Sequence, residues 1–451
     1  MRHASDEPMS APSSPAKQAA TTDRLQQLLE GSYIDPETGA PVTIATRSLL
    51  IADSIAGDES ALVDGLGFGH RLAVVSDPST AAVLGARVEA ALKGKYEVLS
   101  LVLPADPHAD DVTVAKLRAA AGPADAYIAV GSGTINDLTK YASALDRKPY
   151  AVFATAPSMN GFVSLTASIT VGGHKSTLPA QPPAGAFFDL GVLAAAPERM
   201  IRAGLGDSIC RTTAQADWLL SHLLLGTAYR ELPFDLLRDD EPQLLAQAEA
   251  LLKGDLEAMR TLTRTLLLSG FGTAIVGSSA PASQAEHLVS HYIDMLAQPP
   301  SPALHGEQIA VTTLSVARLQ HAMLAKPRME LAADREGAEE IAARFGKELA
   351  DSVLEEFAHK RLNREKADAL NHVLARDWDS IRARVAAVLL PLATIDATLR
   401  TAGAPRNPAD IGIDRSFYEQ ALLHGREIRN RFTMLDLAAA NGRLAPMLTS
   451  L

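Results

Sequence analysis

The run Asp125-Ala-Tyr-Ile-Ala-Val130, followed at once by Gly131-Ser-Gly-Thr-Ile-Asn-Asp-Leu-Thr-Lys140, constrains the fold more than any other stretch. Its first half is short, apolar and without alternation. That predicts a strand buried on both faces, as in a parallel sheet. Its second half predicts a tight turn opening a helix. Gly131 and Gly133 have no Cβ to hold a ligand away from the backbone. The amides that follow are the unpaired donors of a helix N-terminus, at the positive end of its dipole. Strand, turn and helix start can together cradle a phosphate or pyrophosphate, and the same residues also read as a plain structural turn.

The flanking sequence supports the parallel sheet. Residues 46–51, 71–77, 96–102 and 150–154 read as strands, and 22–29, 59–66, 78–92 and 112–121 as helices. Such alternation predicts a Rossmann-like α/β domain with helices on both faces. Ligands in such sheets lie beyond the carboxyl ends of the strands, where Asp77, the Gly131 loop and the segment after Ala154 all fall. Asp77 can bind a ribose hydroxyl pair, favouring NAD over NADP, or can cap the helix that starts at Pro78. The segment Thr155-Ala-Pro-Ser-Met-Asn160-Gly-Phe-Val-Ser164 is dense in small hydroxyls that can bond phosphates and ribose, or simply make a turn.

From about residue 190 strand signals give way to helical periodicity, as in 243–252, 257–269, 309–325 and 379–390. The expected organisation is an α/β dinucleotide-binding domain over 21–190 and an all-helical domain over 191–451, with the boundary near the Pro-rich 178–184. Residues 1–20, rich in Ser, Pro and Ala, are expected to be a disordered tail. The mixed-charge runs 328–335 and 355–366 read as solvated helix faces.

Composition excludes some partners. With 42 basic against 53 acidic residues, net −11, the chain is a poor ligand for nucleic acid or an anionic membrane. No apolar run reaches the length of a membrane span, and the N-terminus has no signal-peptide core. The single cysteine, Cys210, precludes an internal disulfide and fits a reducing cytoplasm. Cys210 reads as a small buried hydrophobe, and Trp218 and Tyr292 as core.

Glu286-His-Leu-Val-Ser-His291 places His287 and His291 at i and i+4, on one helix face. Pro299, Pro300 and Pro302 then break the helix and allow His305 to return to that face. Asp207, expected to open a helix after Gly204-Leu-Gly, can add a carboxylate. Two imidazoles and a carboxylate with open positions suit a catalytic divalent ion. Without a zincin motif the histidines also read as ordinary ones, buried or exposed. No motif marks the basic residues that would meet a phosphate; Arg202, Arg211 and His222 lie near Asp207 in sequence.

Several stretches together resemble one family. Gly131-Ser-Gly-Thr-Ile-Asn-Asp137 with Lys140 is similar to the GGGxxxDxxK nucleotide signature of the iron-containing alcohol dehydrogenase and dehydroquinate synthase superfamily, with Ser132 at the middle glycine. Ala154-Thr-Ala-Pro-Ser-Met-Asn-Gly161, Gly204-Leu-Gly-Asp207 with Ala216-Asp-Trp218, Ala285-Glu-His287 with Ser290-His291, and His305-Gly-Glu307 resemble sn-glycerol-1-phosphate dehydrogenases, most of all the bacterial type associated with arabinose operons. The likeness covers roughly residues 45–325, in order.

The resemblance implies a dehydroquinate synthase-like fold and NAD(P) as cofactor. One divalent ion, zinc or nickel and possibly iron, would be held by Asp207, His287 and His305. The substrate would be a phosphorylated polyol or hydroxy-ketone, and the protein a homodimer or larger. It implies that Asp77 contacts the ribose, that Gly131, Ser132, Gly133, Thr134, Asn136 and Asp137 hold the pyrophosphate, and that Thr155, Ser158 and Ser164 meet the nicotinamide half. Lys140 would face the nucleotide or the reacting centre, or else be a solvated lysine. His291, Asp207 and residue 160 would face substrate. Here the chain departs from the family, with Asn160 where an aspartate is usual, which drops a charge and a proton acceptor. Alternatives are an NAD-using cyclase of the dehydroquinate synthase kind, or a non-catalytic nucleotide-binding relative.

Overall fold

The computed structural model describes residues 23–172 and 174–450, so the expected tail over 1–20 lies outside the described residues. Six parallel strands form one sheet: β1 (Ser48–Ala52), β2 (Arg71–Ser76), β3 (Glu97–Val102), β4 (Ala126–Gly131), β5 (Tyr150–Ala154) and β8 (Gly185–Asp189), in the order β1-β8-β5-β4-β2-β3. Between β5 and β8 the chain makes an antiparallel hairpin of β6 (Thr166–Val171) and β7 (His174–Pro179).

The central strands are buried on both faces because their side chains serve two cores. Along β2, Ala73 and Val75 join one apolar cluster while Leu72 and Val74 join another across the sheet. The chain leaves β2 towards β3 and returns to place β4 on the other side of β2. The topological switch therefore falls between β2 and β4, the position at which open α/β sheets bind ligands. Asp77 and the Gly131 loop stand at these two strand ends.

Two elements escape the periodicity reading. β8 is only Gly-Ala-Phe-Phe-Asp, yet it pairs with both β1 and β5. Phe187 packs on Phe153 at one face, and Phe188 packs edge-on to Phe162 at the other. The β6–β7 hairpin is polar along much of its length, and tertiary bonds fix its place.

After β8 the described chain is helical. The site rests on four helices: Glu198–Ile209, Leu256–Val276, Ala285–Leu296 and His305–Leu324. One apolar cluster runs unbroken from the sheet into Leu205, Leu266, Phe271 and Leu314 of these helices, and a separate cluster gathers the more C-terminal ones. Three expectations are corrected here. Asp207 sits in the last turn of its helix rather than at the start. Residues 328–335 are not helical; Met329 and Leu331 are buried instead, so the segment packs by alternate apolar side chains. The run 355–366 is split, one helix ending at Lys360 and the next starting at Arg364, with Lys360 buried against Asp436. No helix among the described residues is long and apolar enough to cross a membrane.

Candidate metal and dinucleotide site

Glycine decides how Asp207 reaches the site. A Cβ on Gly204 would lie 1.7 Å from the Pro157 carbonyl oxygen, and one on Gly206 would lie 2.1 Å from that of Gly306. A Cβ on Gly306 would in turn lie 1.9 Å from the Ala203 carbonyl oxygen. Only bare backbone permits these approaches. They press the Asp207 helix against both the 155–161 loop and the start of the His305 helix.

The ligand set follows from that contact. One carboxylate oxygen of Asp207 and one ring nitrogen each from His287 and His305 lie within 4.8 Å of one another. The rings of His287 and His305 are 5.2 Å apart between centroids, and His291 stands one turn along at 6.2 Å from His287. Asp207 is buried; its Oδ2 accepts the Asn160 amide at 2.8 Å, and its Oδ1 is buried with no hydrogen-bond partner. Burial raises the Asp207 pKa, against the pull of His287 and the Asn160 amide. A buried carboxylate oxygen without a donor, facing two imidazoles, is a donor set short of a cation. The residues present fit a divalent ion.

Glu286, which the motif reading did not single out, completes this set from behind. Its carboxylate is fully buried and accepts the Gln284 amide at 2.7 Å and the Thr213 hydroxyl at 3.0 Å. Its Oε1 also lies 3.0 Å from His287 Nδ1. A carboxylate accepts, so Nδ1 is the donor, and Nε2 is the nitrogen that a neutral ring offers to an ion. The sequence signal was the acid directly before the histidine. Cys210, Glu286 and His287 form a second trio within the same 4.8 Å limit, but burial pushes the Cys210 thiol well up and its Sγ bonds to the Asp207 carbonyl at 3.1 Å. Cys210 is a buried thiol, as expected, and Trp218 and Tyr292 are core.

On the sheet side, Gly131 ends β4 and Ser132 is the N-cap of the helix Gly133–Asp146. The Ser132 hydroxyl donates to the Ala156 carbonyl at 3.1 Å and lies 2.6 Å from Ser158 Oγ. The Thr155 amide donates to the Gly131 carbonyl at 3.2 Å. These bonds tie the loop after β4 to the loop after β5. Thr134 is exposed, and Asn136 is buried with its Nδ2 on Asp137. Asp137 Oδ2 accepts the Ser168 amide at 2.9 Å, which anchors the β6–β7 hairpin. Asp77 caps the helix after β2, taking the Thr80 amide at 2.8 Å.

Lys140 is not a solvated lysine. It is fully buried, and its Nζ donates to the carbonyls of Gly161 and Thr166 and to Ser164 Oγ. Burial lowers its pKa to about 8 despite Asp137 nearby. Its ammonium thus fastens the loop that carries Asn160, whose Nδ2 reaches Ser269 Oγ at 3.2 Å. The three basic residues near Asp207 in sequence are engaged elsewhere. Arg202 donates to Ala402, Arg211 forks onto Glu241, and His222 bonds Thr227.

Known proteins resemble this chain in sequence and in fold. The family profile described as iron-containing alcohol dehydrogenase matches residues 50–197. A glycerol-1-phosphate dehydrogenase [NAD(P)+] of Thermococcus kodakarensis is 34% identical over 275 residues, 60% of this chain and 77% of the relative. One of the same name from Halalkalibacterium halodurans is 30% identical over 373 residues, 80% of this chain and 84% of the relative. In fold, the crystal structure of a probable glycerol dehydrogenase from Sinorhizobium meliloti 1021 superposes with a TM-score of 0.59 at 17% identity, covering 88% of this chain and 96% of the other. The chain belongs to the glycerol-1-phosphate dehydrogenase family, within the iron-containing alcohol dehydrogenase superfamily.

Proposed function

We propose that the chain is a metal- and NAD(P)-dependent dehydrogenase that interconverts glycerone phosphate and sn-glycerol 1-phosphate. The observation that carries this reading is the meeting of Asp207, His287 and His305 beside Asn160. The names of the relatives supply glycerol 1-phosphate and NAD(P), and oxidation at the secondary hydroxyl of that substrate gives glycerone phosphate. Asp207, His287 and His305 would hold zinc, nickel or iron, all compatible with two imidazoles and a carboxylate. An ion held there would supply Lewis-acid polarisation of a substrate oxygen, and NAD(P) would supply the hydride donor or acceptor.

The chain's own residues position that chemistry. Glu286 accepts from His287 Nδ1 and would leave Nε2 to ligate an ion. The Asn160 amide fixes one oxygen of Asp207 and leaves the other to ligate. Lys140, by fastening residues 161–166, sets where Asn160 stands. Gly131, Ser132, Gly133, Thr134, Asn136 and Asp137 receive the pyrophosphate at the helix start. Asp77 takes the ribose, Thr155, Ser158 and Ser164 take the nicotinamide half, and His291 with Asn160 faces substrate. The proposed division is 21–190 for the dinucleotide and 191–451 for metal and substrate. A homodimer or larger assembly in the cytoplasm completes the proposal.

The test is metal analysis of the purified chain, followed by NADH and NADPH absorbance with glycerone phosphate and with plain hydroxy-ketones. The expected result is one divalent ion per chain and oxidation of reduced nucleotide that depends on glycerone phosphate. Nucleotide binding without metal, or turnover indifferent to the ketone, would overturn the reading.

A further inference from the structure

We propose that Arg429 and Arg431, from the C-terminal helical region, form the subsite for the substrate's phosphate group. The proposal rests on the functional reading above and adds to it the residues that select a phosphorylated substrate.

Both residues are half-buried, and among the described residues neither has a carboxylate within 4.0 Å. This sets them apart from the other arginines near the site. Arg199 is paired with Glu307, Arg211 with Glu241, Arg264 with Asp240, and Arg426 with Asp334 and Asp436. Arg431 donates only to neutral oxygens, the Ser283 carbonyl and, at 2.6 Å, the Ser279 hydroxyl. Arg429 donates to the Thr177 hydroxyl at 3.3 Å. The nearest acids are occupied: Glu356 accepts the Asn430 amide at 2.8 Å, and Glu286 holds His287. Burial and the neighbouring Arg429 pull the Arg431 pKa down to about 10, against the weaker opposing pull of Glu286 and Glu356, neither of which touches it. A guanidinium that is partly desolvated and unpaired calls for an anion, and its planar fork suits phosphate oxygens.

The location matches a small substrate bound at the proposed ion site. Ser283, which Arg431 grips, lies four residues before His287. Cys210 Sγ links Ala282 to Asp207, at 3.6 Å from one carbonyl and 3.1 Å from the other. The segment bearing the arginines lies on the His287 helix so closely that a Cβ on Gly425 would be 2.9 Å from the Leu288 carbonyl oxygen. Arg429 reaches β7, whose partner strand hangs from Asp137 at the start of the nucleotide helix. The pair therefore stands where the His287 helix, the hairpin and the C-terminal segment meet, with Thr177 and Ser279 as hydroxyl donors beside it.

The experiment compares wild type with Arg429→Gln, Arg431→Gln and Arg431→Lys, all loaded with metal. Loss of one charge-assisted contact is worth roughly ten- to a hundredfold in binding. The expected result is a rise of that size in KM for glycerone phosphate in each Gln variant, with kcat moved less. Inhibition by inorganic phosphate should weaken in parallel, and Arg431→Lys should recover part of both. NADH affinity and the melting temperature report on folding. If Arg431→Gln fails to fold, the more exposed Arg429→Gln decides alone. Wild-type KM and wild-type phosphate inhibition in folded Gln variants would overturn the subsite. A wild type that does not turn over glycerone phosphate would instead overturn the functional reading beneath it.

Discussion

At the residue scale the site depends on which oxygen or nitrogen is already engaged. Asp207 commits one oxygen to the Asn160 amide and keeps the other, and His287 commits Nδ1 to Glu286. Replacing Glu286 by Leu removes the acceptor that fixes the His287 tautomer. Metal affinity should fall by about ten- to a hundredfold, read by titrating the apo protein with Co2+ and following its absorption; unchanged affinity would refute the orienting role. Asn160→Asp keeps the backbone amide to Asp207 but adds a charge, so the order of preference among hydroxy-ketones should change while NADH affinity stays put. A large loss of NADH binding would contradict that. Lys140 releases its proton near pH 8 when folded, against 10.5 for an ordinary lysine. Between these values the unfolded chain binds more protons, so stability rises with pH. Wild type should therefore gain about 2 kcal/mol on Lys140→Met between pH 7.5 and pH 10. Urea titrations at pH 7.5 and pH 10 check this, and a constant difference would show that the buried ammonium keeps its ordinary pKa.

At the element scale, glycine sets the distance between helices. Gly204 and Gly206 let the Asp207 helix touch the Pro157 loop and the His305 helix, and Gly306 answers from the other side. Gly306→Ala would drive a methyl into the Ala203 carbonyl and separate the helices that carry two of the three donors. The expected loss is about 3 kcal/mol, as for overpacking, together with loss of metal. Calorimetry and metal analysis of the purified variant measure both. A stable, metal-replete variant would show that the helices can part without disturbing the donors. The same reasoning explains why the Gly-Leu-Gly-Asp motif was legible but its geometry was not. The motif named the carboxylate, whereas the contact at the end of the helix, rather than its start, depends on where the Pro157 loop comes to rest.

At the scale of the whole molecule, Asp207, His287 and His305 come from three different helices, so a bound ion cross-links the helical region. Removing it by chelation should lower stability by about 4 kcal/mol if the free ion is held near a thousandfold above its Kd. Thermal melts with and without chelator test this, and coincident melts would mean the ion is not held by folded helices. The parallel sheet, the glycine turn after β4 and the candidate trio Asp207, His287 and His305 were legible from the chain alone, because apolar runs, glycine positions and short motifs are local properties. β8 and the β6–β7 hairpin were not, since five residues carry too little periodicity and a polar hairpin is placed by the Asp137 carboxylate on Ser168. Lys140 could be read from sequence as a solvated side chain, and only the fold buries it under the Asn160 loop. Arg429 and Arg431 lie more than 120 residues beyond His305, in a stretch that carries no motif. Sequence determines which groups the chain owns and which element each rides on. Which of them are left without a carboxylate beside the candidate metal donors is decided by packing, because pairing is a property of positions in space.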